Sequence, residues 1–206
     1  MRLVLRVWRQ RDVSTRGSLQ AYEADGVSPD MSLLDVLGLL NERLVLEGGE
    51  PVAFERLDCA VVVNGRPCGD ASRLDMSAFR DGSCVVIEPL RARAFPVVKD
   101  LVVDRSALDN ILVSAGRVDD RCTGCGACAA ACPNASAMLF AAANIPREDG
   151  DLLAMVRTHD AAGFGGCSGE RVCEAVCPVG VTAGGIALLN RRHLEAEITQ
   201  KGKAPA

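Results

Sequence analysis

Four cysteines within eleven residues constrain this chain more than any other feature: Cys122-Thr-Gly-Cys125-Gly-Ala-Cys128-Ala-Ala-Ala-Cys132, closed by Pro133. Thiols at two-residue intervals, a fourth after three more residues and a following proline make the bacterial-type iron–sulfur run, whose last cysteine serves a second cluster. Another run, Cys167, Cys173 and Cys177 with Pro178, starts 35 residues after Cys132 and covers the same ten-residue interval. Structural zinc is the competing use of such thiols, but zinc sites close with two C-x2-C pairs, which this spacing matches poorly. Two iron–sulfur clusters are expected.

A four-iron cube needs one thiolate per iron. Cys122, Cys125 and Cys128 can converge on three irons of one cube, and a duplicated ferredoxin takes the fourth ligand from the cysteine before proline in the other run. Cys122, Cys125, Cys128 and Cys177 are therefore expected to hold a [4Fe-4S] cluster. Cys132, Cys167 and Cys173 remain, and three thiolates saturate three irons, so the second cluster is expected to be [3Fe-4S]. Glu170 stands three residues after Cys167 and is an alternative ligand for a fourth iron; its ordinary reading is a solvated surface carboxylate.

Hydrophobic residues make up 49% of the chain and aromatics 3%, so the core must be aliphatic. A net charge of −4 without a basic cluster argues against nucleic acid as a partner. The start, Met1-Arg-Leu-Val-Leu-Arg-Val-Trp-Arg9, interrupts its apolar residues with arginine and offers no secretory h-region. The ten cysteines are thus expected in a reducing compartment, reserved for metal. No apolar run approaches the length of a membrane span.

Leu3, Leu5 and Val7 alternate with other residues as in a half-buried strand, and residues 18–24 can pair with it. Ser32-x-x-Asp35 is a capping-box signal for a helix placing Leu33, Val36, Leu37, Leu40 and Leu44 on one face and stopping at Gly48-Gly49. Strands are expected at Cys59–Asn64 and Cys84–Glu88, with Asn64-Gly65 as a turn. This order suits a ferredoxin-like β-grasp domain. A two-iron cluster there would need a C-x4-C-x2-C group and a distant fourth cysteine, whereas Cys59, Cys68 and Cys84 are scattered. Residues 89–105 read as an extended connector, and Ser106-x-x-Asp109 caps a helix ending near Gly116. Helices are expected at 134–143, 151–160 and 182–199, with Gly163, Gly165 and Gly166 freeing the backbone before Cys167. The fold class is α+β: a β-grasp domain over residues 1–95, then an all-α, two-cluster helical ferredoxin domain over 96–206.

Several longer stretches make the chain resemble the iron–sulfur subunit of succinate dehydrogenase and fumarate reductase, particularly the short actinobacterial type. They are Glu50-Pro-Val-Ala-Phe54, Val63-Asn-Gly-Arg-Pro67, Phe79-Arg-Asp-Gly82, Ala94 through the Phe-Pro-Val-Val-Lys-Asp-Leu segment to Asp109, Cys132 through Pro-Asn-Ala-Ser-Ala-Met-Leu to Phe140, and Gly163-Phe-Gly-Gly-Cys167. The resemblance implies a relay that carries electrons one at a time between an FAD-containing flavoprotein subunit and a membrane anchor, with or without haem, that meets quinone. It also implies a peripheral place on the cytoplasmic side of the cell membrane, held through those partners.

The departures bear on the cofactors. Members of that family carry a C-x4-C-x2-C loop after the Pro-Val-Ala-Phe stretch; here Phe54 runs through Cys59 straight into a strand, keeping only the third cysteine. Their fourth ligand aligns with Ser72, and Cys68 and Cys84 fall where the family has no ligand, so the [2Fe-2S] cluster is expected to be absent. The chain is also shortened before Cys122 and between Ala143 and Asp151. The tryptophan that follows the proline in some relatives is missing, and their histidine after Cys167 is Ser168. Competing readings are a structural or assembly subunit whose clusters stabilise the fold, and a carrier for another dehydrogenase. His159 and His193 read as surface or packing residues, Arg191-Arg192 as a solvated helix face, and no group is placed for substrate chemistry on this chain alone.

Overall fold

A computed structural model of the chain describes residues 1–55, 60–92, 95–109, 119–134, 136, 138–144, 157 and 166–201. Contacts divide it into two units, Met1–Arg91 with Pro96–Asp104, and Ala92–Phe95 with Arg105–Ala206.

The first unit is a mixed sheet with one long helix. Strands β1 (Leu3–Arg9), β2 (Ser18–Ala24), β3 (Val61–Val63), β4 (Arg66–Cys68) and β5 (Cys84–Pro89) lie in the order β2-β1-β5-β3-β4. β1 runs antiparallel to β2 and parallel to β5, with Leu5 opposite Val85 and Val7 opposite Ile87. The period of two sends Leu3, Leu5, Val7, Val85 and Ile87 to one face, where each is fully buried. Helix α1 (Leu33–Leu46) covers that face with Leu33, Val36, Leu37 and Leu40, the i, i+3, i+4, i+7 set. Each such side chain contributes about 1.5–3 kcal/mol on burial.

The helix begins where the capping signal placed it. The Asp35 amide donates to Ser32 Oγ at 3.2 Å, and the Ser32 amide donates to Asp35 Oδ2 at 2.8 Å. It ends at Gly48, whose φ of +73° is the left-handed conformation that glycine adopts without strain. The Asn64-Gly65 turn has both residues at positive φ, 49° and 76°, and returns the chain as β4, a three-residue edge strand in which Pro67 is tolerated because it lies at the sheet's border.

The connector folds further than its prolines suggest. Residues Val97–Lys99 (β6) and Val102–Val103 (β7) pair as a small hairpin turning at Asp100, which has a φ of +46°. Asp100 is 2% exposed and is held from three sides. Its Oδ1 accepts from Arg9 Nε at 3.1 Å and the Gln10 amide at 2.9 Å, and its Oδ2 accepts from the Ala53 amide at 2.9 Å. Those bonds fix a turn that glycine would otherwise be expected to make.

In the second unit the elements described after residue 109 are helices: α2 (Ala127–Ala131), α3 (Met138–Asn144), α4 (Val172–Ala175) and α5 (Gly184–Lys201). Residues 106–109 are helical, as the Ser106 signal suggests, and the rest of that helix falls outside the described residues. So do Cys59, the expected helix at 151–160 apart from helical residue 157, Gly163 and Gly165, and His159. α3 starts four residues later than the expected helix at 134, because Pro133 and Asn134 form a turn.

Candidate metal centres

The first cysteine run curls because two of its residues are glycines in the left-handed region, Gly124 at φ +77° and Gly126 at φ +78°. A side chain at either place would strain the backbone. Arg105 Nη2 donates to the Gly124 carbonyl and pins the loop, and the Cys122 amide donates to Asp119 O at 3.0 Å. α2 then starts just after Gly126 with Cys128 in its first turn, and the buried Ala127 and Ala129 leave room for close packing.

The second run is ordered by α4. Arg171 precedes it at φ +59°, Cys173 lies within it, and the Cys177 amide donates to Glu174 O at 3.2 Å just beyond its end. Glu174 accepts from Arg171 Nε at 2.7 Å and from the Ala183 amide, so its carboxyl is held below the ordinary glutamate value, chiefly by Arg171. Arg121 joins the runs: its guanidinium is fixed on Asp119 at 3.0 and 2.8 Å, and its Nη1 donates to Gly180 O at 3.3 Å.

Cys122, Cys125, Cys128 and Cys177 line one pocket, the four thiols expected to share a cluster. Leu139, Phe140, Ala143, Val179 and Val181 supply its apolar walls. Burial pushes the Cys128 thiol far up, and the sulfurs of Cys125, Cys122, Cys173 and Cys177 push in the same direction. A thiol that resists ionisation because it is buried, with other sulfurs beside it, becomes a good ligand once cationic iron offsets both penalties. The donor set and its apolar lining therefore fit a cluster. Two N–H groups aim at these sulfurs: the Val181 amide donates to Cys177 Sγ at 3.3 Å, and Asn144 Nδ2 donates to Cys122 Sγ at 3.4 Å.

The other three cysteines also influence one another electrostatically, through Cys173. Cys173 is raised first by burial, and the sulfurs of Cys167 and Cys132 raise it further, against the Glu174 amide, which lowers it. Cys167 is exposed, Cys132 and Cys173 half-buried. Beside them Asn134 Nδ2 donates to Ser168 Oγ at 2.5 Å, and Ser168 Oγ donates to Glu170 Oε1 at 3.2 Å. Glu170 is exposed. Among the described residues no three of His, Cys, Asp and Glu are placed to hold a single metal ion.

The two described cysteines of the first unit, Cys68 and Cys84, are not brought together in this way. Cys68 sits on β4 and donates to Asp70 O at 3.4 Å, while Ser72 Oγ donates to Asp70 Oδ1 at 2.6 Å. Cys84 is exposed and opens β5. β3 separates those two strands, and Cys84 lies at the opposite end of β5 from the residue level with Cys68, so the thiols are more than about 10 Å apart. Arg105, Arg121 and Asn144 were not singled out by sequence reasoning. Asn144 had a visible signal, a lone amide closing the apolar stretch Met-Leu-Phe-Ala-Ala-Ala.

A family model described as a 2Fe-2S iron–sulfur cluster binding domain matches residues 4–110. A second, a 4Fe-4S dicluster domain, matches residues 119–181. Among solved structures, a chain of the Mycobacterium smegmatis Sdh1 complex in the apo form is 21% identical and superposes with a TM-score of 0.65, covering 94% of this chain and 96% of that one. This likeness establishes a shared fold. A hypothetical protein from Helicobacter pylori is 23% identical over 54% of this chain and 20% of its own, with a TM-score of 0.37 that carries no argument. No curated protein matches by sequence.

Proposed function

We propose, from the premise that this chain belongs to the 2Fe-2S iron–sulfur cluster binding domain family, that it is the electron-transfer subunit of a succinate dehydrogenase or fumarate reductase-like complex. The observation that carries this reading is the shared pocket: Cys177, 49 residues beyond Cys128, completes a set with Cys122, Cys125 and Cys128. Such crossing belongs to a two-cluster relay.

Cys122, Cys125, Cys128 and Cys177 hold the [4Fe-4S] cluster, and Cys132, Cys167 and Cys173 hold the [3Fe-4S] cluster, in a helical domain that begins after the β6–β7 hairpin. When bound, these clusters supply one-electron carriers of different potential. The chain's own residues bind them, and Leu139, Phe140, Ala143, Val179 and Val181 exclude water from the first. The domain over 1–95 keeps the family's sheet without the [2Fe-2S] cluster: Ser72 is bonded to Asp70, and Cys68 and Cys84 stand at separate places in the sheet. Its role is to dock a partner.

The partners are an FAD-containing flavoprotein and a membrane anchor, with or without haem, that meets quinone. No helix among the described residues is long and apolar enough to cross a membrane. The anchor holds the chain peripherally, on the cytoplasmic side. Iron and sulfide analysis of the anaerobically purified chain tests the cluster reading. About seven irons support four plus three, about eight implicate Glu170, and about nine restore the two-iron cluster. Purification from the native host without a flavoprotein would sink the complex.

A structural or assembly subunit is the second reading, favoured by the packing of Cys122, Cys128, Cys173 and Cys177 against the apolar cluster of the second unit. Clusters that dithionite does not reduce would select it.

A further inference from the structure

Asn144 is fully buried at the end of α3, where every neighbour from Leu139 to Ala143 is apolar. Its Nδ2 carries two protons, and both are used. One goes to the Phe140 carbonyl at 2.9 Å, one helical turn back, and the other to Cys122 Sγ at 3.4 Å. Its Oδ1 is buried with no hydrogen-bond partner among the described residues.

An orphaned carbonyl of that kind is costly to bury. A helix needs no side-chain amide at this place, since alanines serve the three positions before it. What an amide supplies, and leucine of similar size does not, is an N–H directed at the sulfur of a cluster ligand. The bond strengthens when the sulfur carries more negative charge. An iron–sulfur cluster gains one negative charge when it accepts an electron, part of it on the ligating sulfurs, and hydrogen bonds to those sulfurs help set its potential. The Val181 amide does the same for Cys177, but a backbone donor is common to nineteen residue types, whereas the Asn144 donor depends on the side chain.

We propose that Asn144 is a potential-setting residue of the four-cysteine site: its Nδ2–H to Cys122 Sγ favours the reduced form of the cluster held there. The inference rests on the proposed [4Fe-4S] assignment and adds a regulation of its potential. The electron comes from the upstream donor, a reduced flavin or, in the test, dithionite. No covalent bond forms or breaks, and Asn144 retains both protons.

The test is an anaerobic redox titration of the full chain, followed by electron paramagnetic resonance of the reduced four-iron signal, for the wild type and Asn144→Leu. At the wild-type midpoint, where reduced and oxidised forms are equal, the variant should be about tenfold less reduced, a downward shift of 59 mV for one electron. A ratio within twofold of the wild type overturns the proposal. Wild-type protein carrying asparagine labelled with nitrogen-15 in its side-chain amide supplies a second readout that requires no variant to fold. The reduced cluster should show a weak hyperfine coupling to that nitrogen, and its absence overturns the proposal while leaving the ligand assignment intact. A wild-type chain with no four-iron signal removes the ligand assignment first, and this inference with it.

Discussion

The two units solve the problem of stability in opposite ways. In the first, Leu3, Leu5, Val7, Val61, Val85 and Ile87 of the sheet meet Leu33, Val36 and Leu37 of α1 in one continuous core, and all are fully buried. In the second, the cluster of described residues containing Leu139, Ala141, Ala142, Ala143, Val181 and Ile186 has Cys122, Cys128, Cys173 and Cys177 packed against it as part of its wall. A β-sheet covered by a helix closes on itself, whereas short alanine-rich helices bury too little surface to offset their ordering. In the second unit the thiols expected to bind clusters are thus also part of the core.

The largest test of this contrast is removal of iron. Chelation, or Cys128→Ser, should cost the second unit several kcal/mol, since metal binding there is also folding free energy. Amide exchange would show α3 losing its protection while β1 keeps its own. Equal loss in both units would break the comparison.

Next comes Asp100→Ala in the first unit. It strips Arg9 of a buried partner and leaves the Gln10 and Ala53 amides without their acceptor, at a cost of about 3–5 kcal/mol. The fluorescence of Trp8, the chain's single tryptophan, follows urea unfolding of the unit it belongs to. A cost below about 1 kcal/mol would mean that the hairpin hardly contributes to this core. Leu37→Ala should cost about 2–5 kcal/mol by the same measurement, because its side chain is fully buried beneath the sheet.

The features that sequence exposed were those written in local spacing. The cysteine runs, the alternation of Leu3, Leu5 and Val7, and the Ser32–Asp35 box each sit within about a dozen residues, and each has a geometric consequence that needs no distant partner. The place of Cys177 in one pocket with the first run follows the same logic, since a four-iron cube asks for a fourth thiolate. The β6–β7 hairpin was hidden because its turn falls on an aspartate, held by Gln10 and Ala53, 90 and 47 residues away. β4 was hidden by its shortness and its proline. Asn144 gave only a hint, because its meaning depends on Cys122, 22 residues distant in sequence and adjacent only after folding.

The smallest effect concerns the cap of α1, and it sharpens the contrast because it is a local device in the unit whose core is a sheet covered by a helix. Ser32→Ala removes the hydroxyl that accepts from the Asp35 amide and should cost about 1 kcal/mol near neutral pH. Asp35 is held below the ordinary aspartate value, chiefly by the Ser32 hydroxyl and then by the Ser32 amide. A carboxyl lowered in the folded state favours folding while ionised, so its contribution is complete above the unfolded-state value, near 3.8, and is lost as pH falls through the folded value. Because Asp35 is exposed, solvent screening keeps the effect to a fraction of the cap's worth. The urea midpoints of wild type and Asp35→Asn, read from Trp8, should therefore differ most above pH 5 and converge toward pH 3. A gap that stays constant over that range would show that the cap acts through the neutral hydrogen bonds alone.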